Sequence, residues 1–320
     1  MALEVKNLTV YYQTLRGDVR ALENSTFNLA NGEIMGLAGE SGCGKTTLGH
    51  SLIILKPPMR LIKGSVKLNG KELPIGNLEK MNHFRYNQIS IIPQYAMNAM
   101  NPIRKIGKMT EELLRSRNVD FGNLLPELKR RLDLVKLPYE VLNMYPIELS
   151  GGMKQRMVMV LSTLLDPEVL IADEITSALD VSSQKAVAEL LVEFRDLGCC
   201  KSAIVITHDI SILYQIADNI LIMYAGQLSE KASTETIIKA PRHPYTKLLI
   251  SSLPKVGIRQ AEKRLKGIPG KTPLLLNPPS GCRFRDRCPL AFEKCVEVPP
   301  FIEIAKGHSA ACWKVAKEHD

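Results

Sequence analysis

Gly39-Glu40-Ser41-Gly42-Cys43-Gly44-Lys45-Thr46-Thr47 fits the pattern G-x-x-x-x-G-K-[ST]. Before it runs Glu33-Ile34-Met35-Gly36-Leu37-Ala38, short and mostly apolar, which reads as a buried strand. After it runs Leu48-Gly49-His50-Ser51-Leu52-Ile53-Ile54-Leu55, which reads as a helix start. Strand, glycine loop and helix form the context that turns this pattern into a phosphate cradle. Glycines let successive backbone N–H groups turn inward around phosphate oxygens, and the helix start adds partial positive charge. Lys45 can reach β- and γ-phosphates, and the Thr46 hydroxyl can ligate Mg²⁺. The stretch predicts a nucleoside triphosphate held by Gly39, Ser41, Gly42, Cys43, Gly44, Lys45, Thr46 and Thr47. A glycine turn without a ligand is the alternative for the bare pattern.

Working outward, the bulk composition sets bounds. The chain has 320 residues, 45% hydrophobic and 23% charged, an ordinary globular mix with room for two domains or one domain with an appendage. No run reaches the ~18 apolar residues that span a bilayer. Met1-Ala2-Leu3-Glu4-Val5-Lys6-Asn7 has no charged segment followed by an apolar core, so a cytoplasmic chain is expected. The formal net charge is +9. Much of it lies between Pro254 and Cys288, where Lys255, Arg259, Lys263, Arg264, Lys266, Lys271, Arg283, Arg285 and Arg287 face only Glu262 and Asp286. A solvated face, an acidic partner, a membrane surface and nucleic acid all fit that excess.

Alternation over residues 3–12, with a slip near Asn7, and a second short strand over 21–29 predict an antiparallel sheet. It continues through Gly64–Leu68 and the hairpin signal Asn69-Gly70. Ile89–Gln94 reads as a buried strand. Two stretches with helical spacing follow, Ile106–Asn118 with Met109, Leu113 and Leu114 on one face, and Asn123–Val135 with Leu124, Leu128, Leu132 and Val135. Residues 153–165 read as an apolar helix. Val169-Leu170-Ile171-Ala172 then ends in Asp173-Glu174, a helix covers 181–195, and Ala203-Ile204-Val205-Ile206-Thr207 ends in His208. A helix over 211–217 and a strand over 219–224 complete the series. Buried strands alternating with helices predict an α/β fold with a mostly parallel sheet covered on both faces. Gly39, Gln94, Asp173 and His208 all fall at carboxyl ends of strands, where such sheets bind ligands. Past about residue 240, ten prolines accompany the basic charge and Cys282, Cys288, Cys295 and Cys312, and a separate, loop-rich appendage is expected.

Each site residue has an ordinary reading and a chemical one. Gln94 can reach Mg²⁺ or its water. Asp173 closes an apolar strand in the Walker B manner and binds Mg²⁺ through water. Glu174 can act as general base toward the attacking water, and His208 can touch a γ-phosphate. Leu149-Ser150-Gly151-Gly152-Met153-Lys154-Gln155-Arg156 opens a helix with Ser150 as its cap, and offers a second anion cradle. Two cradles in one chain make sense when two chains sandwich nucleotides between them.

In this order, Gly39–Thr46, Gln94, Leu149-Ser150-Gly151-Gly152, Asp173-Glu174, Ser177-Ala178-Leu179-Asp180 and His208 resemble the ABC ATPases over residues 1 to about 235. The resemblance implies an antiparallel β subdomain, a RecA-like parallel core and a helical subdomain at about 97–160. It implies that Tyr12, with Tyr11 as runner-up, stacks on adenine. It also implies that each site pairs one chain's Gly39–Thr47 with a partner's Ser150, Gly151 and Gly152, that Ser177–Asp180 touches across that interface, and that the loop after Gln94 meets membrane subunits. Glu174, His208 and Lys45 would be catalytic. Ile175 stands where the family usually has proline.

His243-Pro244-Tyr245-Thr246, Gly267-Ile268-Pro269-Gly270, Pro278-Pro279-Ser280-Gly281-Cys282, Arg287-Cys288-Pro289 and Gly307-His308 to Cys312-Trp313 resemble the C-terminal region of dipeptide/oligopeptide ABC transporter ATP-binding subunits, here residues 236–320. That resemblance implies an importer for di- or oligopeptides, or for a related solute such as an oligosaccharide or nickel. Expected partners are a second, non-identical ATPase subunit, two transmembrane permeases and an extracytoplasmic solute-binding protein, with the chain at the cytoplasmic face of the membrane. The alternative is a soluble ABC ATPase acting on nucleic acid. The spacing Cys282-x5-Cys288-x6-Cys295-x16-Cys312 is not the C-x2-C of a zinc ribbon, and in a cytosolic loop region it favours a metal over disulfides. Zinc and free structural thiols remain open on the residues alone. The resemblance implies a 4Fe–4S cluster on the four thiolates.

Overall fold

A computed structural model describes residues 1–94, 100–177, 179–253 and 267–317. Ala178, residues 95–99 of the loop after Gln94, and the charged residues Lys255, Arg259, Glu262, Lys263, Arg264 and Lys266 lie outside the described residues.

The chain opens with two long strands, β1 (Leu3–Thr14) and β2 (Gly17–Leu29), followed by β3 (Ile34–Ala38) and the short helix α1 (Lys45–Ser51). Then come β4 (Met59–Leu68), β5 (Lys71–Glu72), α2 (Leu78–Met81) and β6 (Ile89–Ile92). Four strands form an antiparallel sheet in the order β2-β1-β4-β5. Its register shifts between Val5 and Leu8, where Asn7 takes φ 49°. An extra residue at a bulge restores the inward set of β1 after the slip in the alternation.

The helical insertion holds α3 (Ile106–Arg115), α4 (Phe121–Leu134) and α5 (Gly151–Thr163). α4 begins two residues before the expected start because the Asp120 carboxylate accepts from the Asn123 N–H at 3.0 Å. Leu128, Leu132 and Val135 are buried along it, as their spacing predicts. In α3 the buried face is Ile106, Thr110 and Leu114, rotated from the expected Met109–Leu113–Leu114 face. Thr110 can sit inside because its hydroxyl donates to the Ile106 carbonyl at 2.9 Å.

The second sheet adds β7 (Val169–Asp173), β8 (Ser202–Ile206), β9 (Asn219–Tyr224), β10 (Gln227–Ser233), β11 (Ile302–Ala305) and β12 (His308–Ala310), in the order β11-β12-β10-β9-β3-β8-β7-β6. α6 (Val181–Asp196), α7 (Ile210–Ile216), α8 (Thr234–Lys239), α9 (Pro244–Ser251) and α10 (Trp313–Ala316) complete the described helices. β9, β3, β8, β7 and β6 run parallel. Their residues divide by strict alternation. Ile34, Leu170, Ala172, Ala203, Val205, Ile220 and Ile222 enter one core, shared with the helical insertion. Met35, Leu37, Val169, Ile171, Ile204, Ile206, Leu221 and Met223 enter the other, shared with the antiparallel sheet. A period of two under a continuous apolar run is how a strand fills both faces of a covered sheet.

One expectation is corrected. The region beyond residue 240 does not stand apart, because β12 pairs antiparallel with β10 and β11 with β12, extending the core sheet. Three- and four-residue strands such as His308–Ala310 carry too little pattern to be read locally, and a tertiary partner makes them strands. Glu230 of β10 fastens this edge: its buried carboxylate takes the His308 Nε2 at 2.7 Å and the backbone N–H groups of Arg242 and His243 at 2.7 and 3.0 Å.

Candidate functional site

β3 delivers the chain to Gly39 at the carboxyl edge of the sheet. Gly39 takes φ 151° and Gly44 takes φ 105°. A Cβ on Gly39 would run into the Met223 carbonyl, and one on Gly44 into the Ala21 carbonyl, so both positions demand glycine. Lys45 is buried, and its ammonium bridges the Gly39 and Glu40 carbonyls at 2.9 and 3.0 Å. Those carbonyls hold the charge at the mouth of the loop, where phosphate oxygens can replace them. The Cys43 thiol is fully buried, and burial pushes its pKa up against the pull of Lys45. Its side chain is packing, so only its backbone is available to a ligand. Ser41 and Gly42 are exposed on the loop's outer side.

Two clusters line this edge. In the first, the Thr46 hydroxyl donates to Asp173 Oδ1 at 3.2 Å. Asp173 is wholly buried, and its Oδ2 has no hydrogen-bond partner. His50 Nε2 lies 3.6 Å from that oxygen. A buried, unsatisfied carboxylate oxygen beside a hydroxyl is a hard-oxygen donor set, so Thr46 and Asp173 fit Mg²⁺ or a water bound to it. His50 was not among the expected site residues. Its signal was its place four residues after Thr46, on the same helix face.

In the second cluster, the Gln94 amide donates to Glu174 Oε2 at 2.9 Å, and His208 Nδ1 stands 3.6 Å from Glu174 Oε1. Glu174 adopts φ 47°, and its N–H donates to the Ile206 carbonyl at 2.9 Å, which turns it out of line just past β7. A strained non-glycine residue at a strand end is a mark of functional sites. Ile175 is buried in the core beside it, so the residue standing for proline anchors the turn by packing. Ser177 donates its N–H and hydroxyl to the Glu174 carbonyl at 3.1 and 2.9 Å. Asp180 caps α6 through the Ser183 N–H at 3.0 Å.

Tyr12 Oη is 3.0 Å from Thr47 Oγ1, next to the loop. Tyr11 donates to Glu23 at 2.7 Å instead, and burial together with that carboxylate pushes its phenol up to about 12. Neighbours on a strand face opposite sides, so only one of the pair reaches the loop. Ser150 caps α5, its hydroxyl accepting from the Met153 N–H at 3.3 Å. Ser150 and Gly151 are exposed, and a Cβ on Gly152 would meet nothing within 4 Å. The second glycine cradle therefore faces open space, away from the contacts that tie Gly39–Thr47 to Asp173.

Cys282, Cys288, Cys295 and Cys312 are free thiols that line one hollow with Phe284, Leu290, Phe292, Trp313 and His243. Burial, followed by the neighbouring thiols, pushes Cys282 up to about 11, and burial raises Cys288. Among the described residues no group of three or more His, Cys, Asp or Glu side chains is arranged to hold a metal ion. The basic residues nearby are engaged internally. Arg283 pairs with Glu23 and the Ala225 carbonyl, Arg285 with Asp286 and the Ser280 carbonyl, and Arg287 with Glu40.

Among the described residues, no helix is long and apolar enough to cross a membrane. A family model described as ABC transporter matches residues 22–177, and one described as the C-terminal region of the oligopeptide/dipeptide transporter matches 229–295. The dipeptide transport ATP-binding protein DppD of Caldanaerobacter subterraneus subsp. tengcongensis is 37% identical over 97% of this chain and 96% of its own length. The oligopeptide transport ATP-binding protein OppD of Escherichia coli is 38% identical over 99% and 94%. DppD of Bacillus subtilis is 38% identical over 97% and 94%. Among solved structures, the dimeric bacterial ABC transporter cassette MJ0796 superposes with a TM-score of 0.64 at 22% identity, over 72% of this chain and 98% of that one, which establishes the shared fold. Near-complete coverage by these relatives, on a fold that sets Lys45, Asp173 and Glu174 at one sheet edge, shows that the chain belongs to the family of ABC transporter ATP-binding subunits of the dipeptide and oligopeptide type.

Proposed function

We propose that this chain hydrolyses ATP to drive a membrane importer of di- or oligopeptides. The observation that carries the chemistry is the pairing of two clusters at one sheet edge, Thr46–Asp173 and Gln94–Glu174–His208. Lys45 would exchange the Gly39 and Glu40 carbonyls for β- and γ-phosphate oxygens, and Tyr12 would stack on the base. Thr46 and Asp173 would hold Mg²⁺, with Gln94 within reach of its water. The ion neutralises phosphate charge when bound. Glu174 accepts the proton of the attacking water, whose oxygen bonds to the γ-phosphorus as the bridging P–O bond breaks toward ADP. Gln94 and His208 orient Glu174 and the water. Ser150, Gly151 and Gly152 of a second ATPase subunit would close the site from the far side, and that subunit is expected to be non-identical. Two permeases would receive the motion at the cytoplasmic face, and an extracytoplasmic binding protein would deliver the peptide. Nucleic acid is not favoured, because the relatives that match nearly the whole chain are named as dipeptide and oligopeptide transport ATP-binding proteins.

The four cysteines would hold a 4Fe–4S cluster as a structural staple. This reading rests on the family resemblance and on the four thiols lining one hollow, although no group of three or more His, Cys, Asp or Glu among the described residues is arranged to hold a metal ion. Iron and acid-labile sulfide assays on anaerobically purified protein test this, and finding neither iron nor sulfide would remove the cluster. For hydrolysis, Glu174→Gln in the assembled transporter should lower turnover about 100-fold or more while ATP still binds. Unchanged turnover would show that Glu174 is not the base. Peptide-stimulated ATPase with the co-purified partners tests the solute class.

A further inference from the structure

Glu40, the second residue of the phosphate loop, is held at three points. Its N–H donates to Tyr245 Oη at 2.9 Å, and its carbonyl accepts from Lys45 Nζ at 3.0 Å. Its carboxylate takes both terminal nitrogens of Arg287, at 2.6 and 3.0 Å. Two of the three anchors come from beyond residue 240.

Arg287 is itself immobilised. Its Nε donates to the Pro269 carbonyl at 2.7 Å, and its Nη1 also donates to Tyr224 Oη at 3.2 Å. The guanidinium lies 5.7 Å from the Tyr224 ring centroid and 6.0 Å from that of Phe284. Tyr224, Tyr245 and Phe284 pack with ring centroids 4.6–5.3 Å apart and form the wall behind it. The Arg287 side chain is only 6% exposed. A second tie runs parallel. Arg283 donates to the Ala225 carbonyl at 2.6 Å, and the next residue, Gly226, donates its N–H to the Cys43 carbonyl in the loop at 2.8 Å.

A glycine-rich loop has many conformations of similar energy, and ordering it during binding subtracts from affinity. Fixing Glu40 beforehand removes part of that cost. Glu40 also carries a negative charge into a loop that must receive a triphosphate, and a forked guanidinium neutralises it in one fixed geometry.

We propose that Arg287 is a positioning residue for nucleotide binding, which through Glu40, with Tyr245 as second support, pre-orders the phosphate loop. The C-terminal segment is then part of the ATP site as well as a neighbour of it. The assignment rests on Gly39–Thr47 being that site.

The test is the Kd for Mg-ATP of the full-length protein, measured by calorimetry with circular dichroism confirming the fold, for Arg287→Ala, Arg287→Lys, Glu40→Gln and the Arg287→Ala/Glu40→Gln double variant. Arg287→Ala should weaken ATP about tenfold. Arg287→Lys should recover part of the loss, because it keeps the charge and loses the fork. Glu40→Gln should weaken ATP less than Arg287→Ala, since no carboxylate is left unpaired beside the phosphates. The double variant should match Glu40→Gln, because neither partner then remains to be lost. In the assembled transporter, KM should rise in Arg287→Ala while kcat changes by less than about twofold. An ATP Kd within about twofold of the parent in folded Arg287→Ala, or fully additive losses in the double variant, overturns the proposal. If Arg287→Ala does not fold, an unchanged Kd in both Glu40→Gln and Arg287→Lys overturns it equally. Lys45→Ala separates the two levels. Loss of binding there with none in Arg287→Ala removes only the role of Arg287, whereas unchanged binding in Lys45→Ala removes the site itself.

Discussion

The two glycine-bearing helix starts of this molecule look alike in sequence and differ in what surrounds them. In Gly39–Thr47 the chain's own carbonyls occupy the space a side chain would need at Gly39 and Gly44, and Lys45 and Thr46 point into buried partners. At Ser150-Gly151-Gly152 the helix is capped by Ser150, and the room beside Gly152 is empty. The first loop needs its glycines to fold in place. The second has no internal reason for glycine at Gly152, since alanine there would favour the helix. A glycine that the fold does not require leaves room for a close approach from outside the chain, which is what the proposed function asks of Gly152.

That contrast can be broken at four points, in decreasing order of effect on ATP chemistry. Gly39→Ala should cut ATP affinity about 100-fold and lower the melting temperature, because the left-handed backbone and the Met223 carbonyl both oppose a Cβ. An ATP Kd like the parent's in a calorimetric titration would remove the first half of the comparison. Gly152→Ala should leave isolated-chain ATP binding unchanged and hold stability level or raise it by up to about 1 kcal/mol. In the assembled transporter it should slow ATP turnover about tenfold, since an added Cβ would stand where the proposed function brings a partner's nucleotide. Equal turnover of variant and parent complexes would argue that Gly152 faces solvent only. His50→Ala should raise the Mg²⁺ concentration for half-maximal ATPase severalfold, because the imidazole stands beside the unpartnered Asp173 oxygen; a Mg²⁺ titration at saturating ATP reads this directly.

The smallest effect on ATP is expected at Glu230, and it separates global stability from loop chemistry. Burial would raise this carboxyl, but the hydrogen bonds from His308 and from the Arg242 and His243 amides outweigh it and hold the pKa below the usual range. A depressed folded pKa contributes stability above the unfolded value, which for glutamate is about 4.3. That contribution is lost as pH falls through the folded value. Melting temperatures between pH 7 and 3 should therefore fall less steeply in Glu230→Gln, on a lower overall stability, while its ATP Kd at pH 7 stays near that of the parent. An identical acid slope in both proteins would show that Glu230 is not a source of the acid sensitivity.

Much of the carboxyl edge of the parallel sheet was legible because its signals are local. The Gly39–Thr47 pattern, the apolar run before Asp173-Glu174 and the strand before His208 each carry their meaning within ten residues, and alternation along β3, β7 and β8 sorts into two cores as a covered parallel sheet requires. Helix periodicity located α3, but the buried face turned because Thr110 satisfies its hydroxyl within the helix, which an apolar count does not register. The joining of β11 and β12 to the core sheet had no comparable signal, since short edge strands exist through their partner. His50 beside Asp173 was visible only as a helix-face relation, and Tyr12 was separated from Tyr11 only by where their hydroxyls end.

By itself the sequence determined the phosphate loop, the order of the strands that carry acids, and the family resemblance, because these depend on spacing within a strand, a turn or a helix start. Only the tertiary structure decided that Asp173 keeps an oxygen free beside Thr46, that Glu174 is turned by a left-handed backbone, and that Arg287 reaches Glu40 from 247 residues away. The physical reason is range. Backbone propensities and side-chain periodicity act over a few residues, whereas a buried charge pair or an orphaned carboxylate oxygen is created by packing elements whose separation along the chain leaves no local mark.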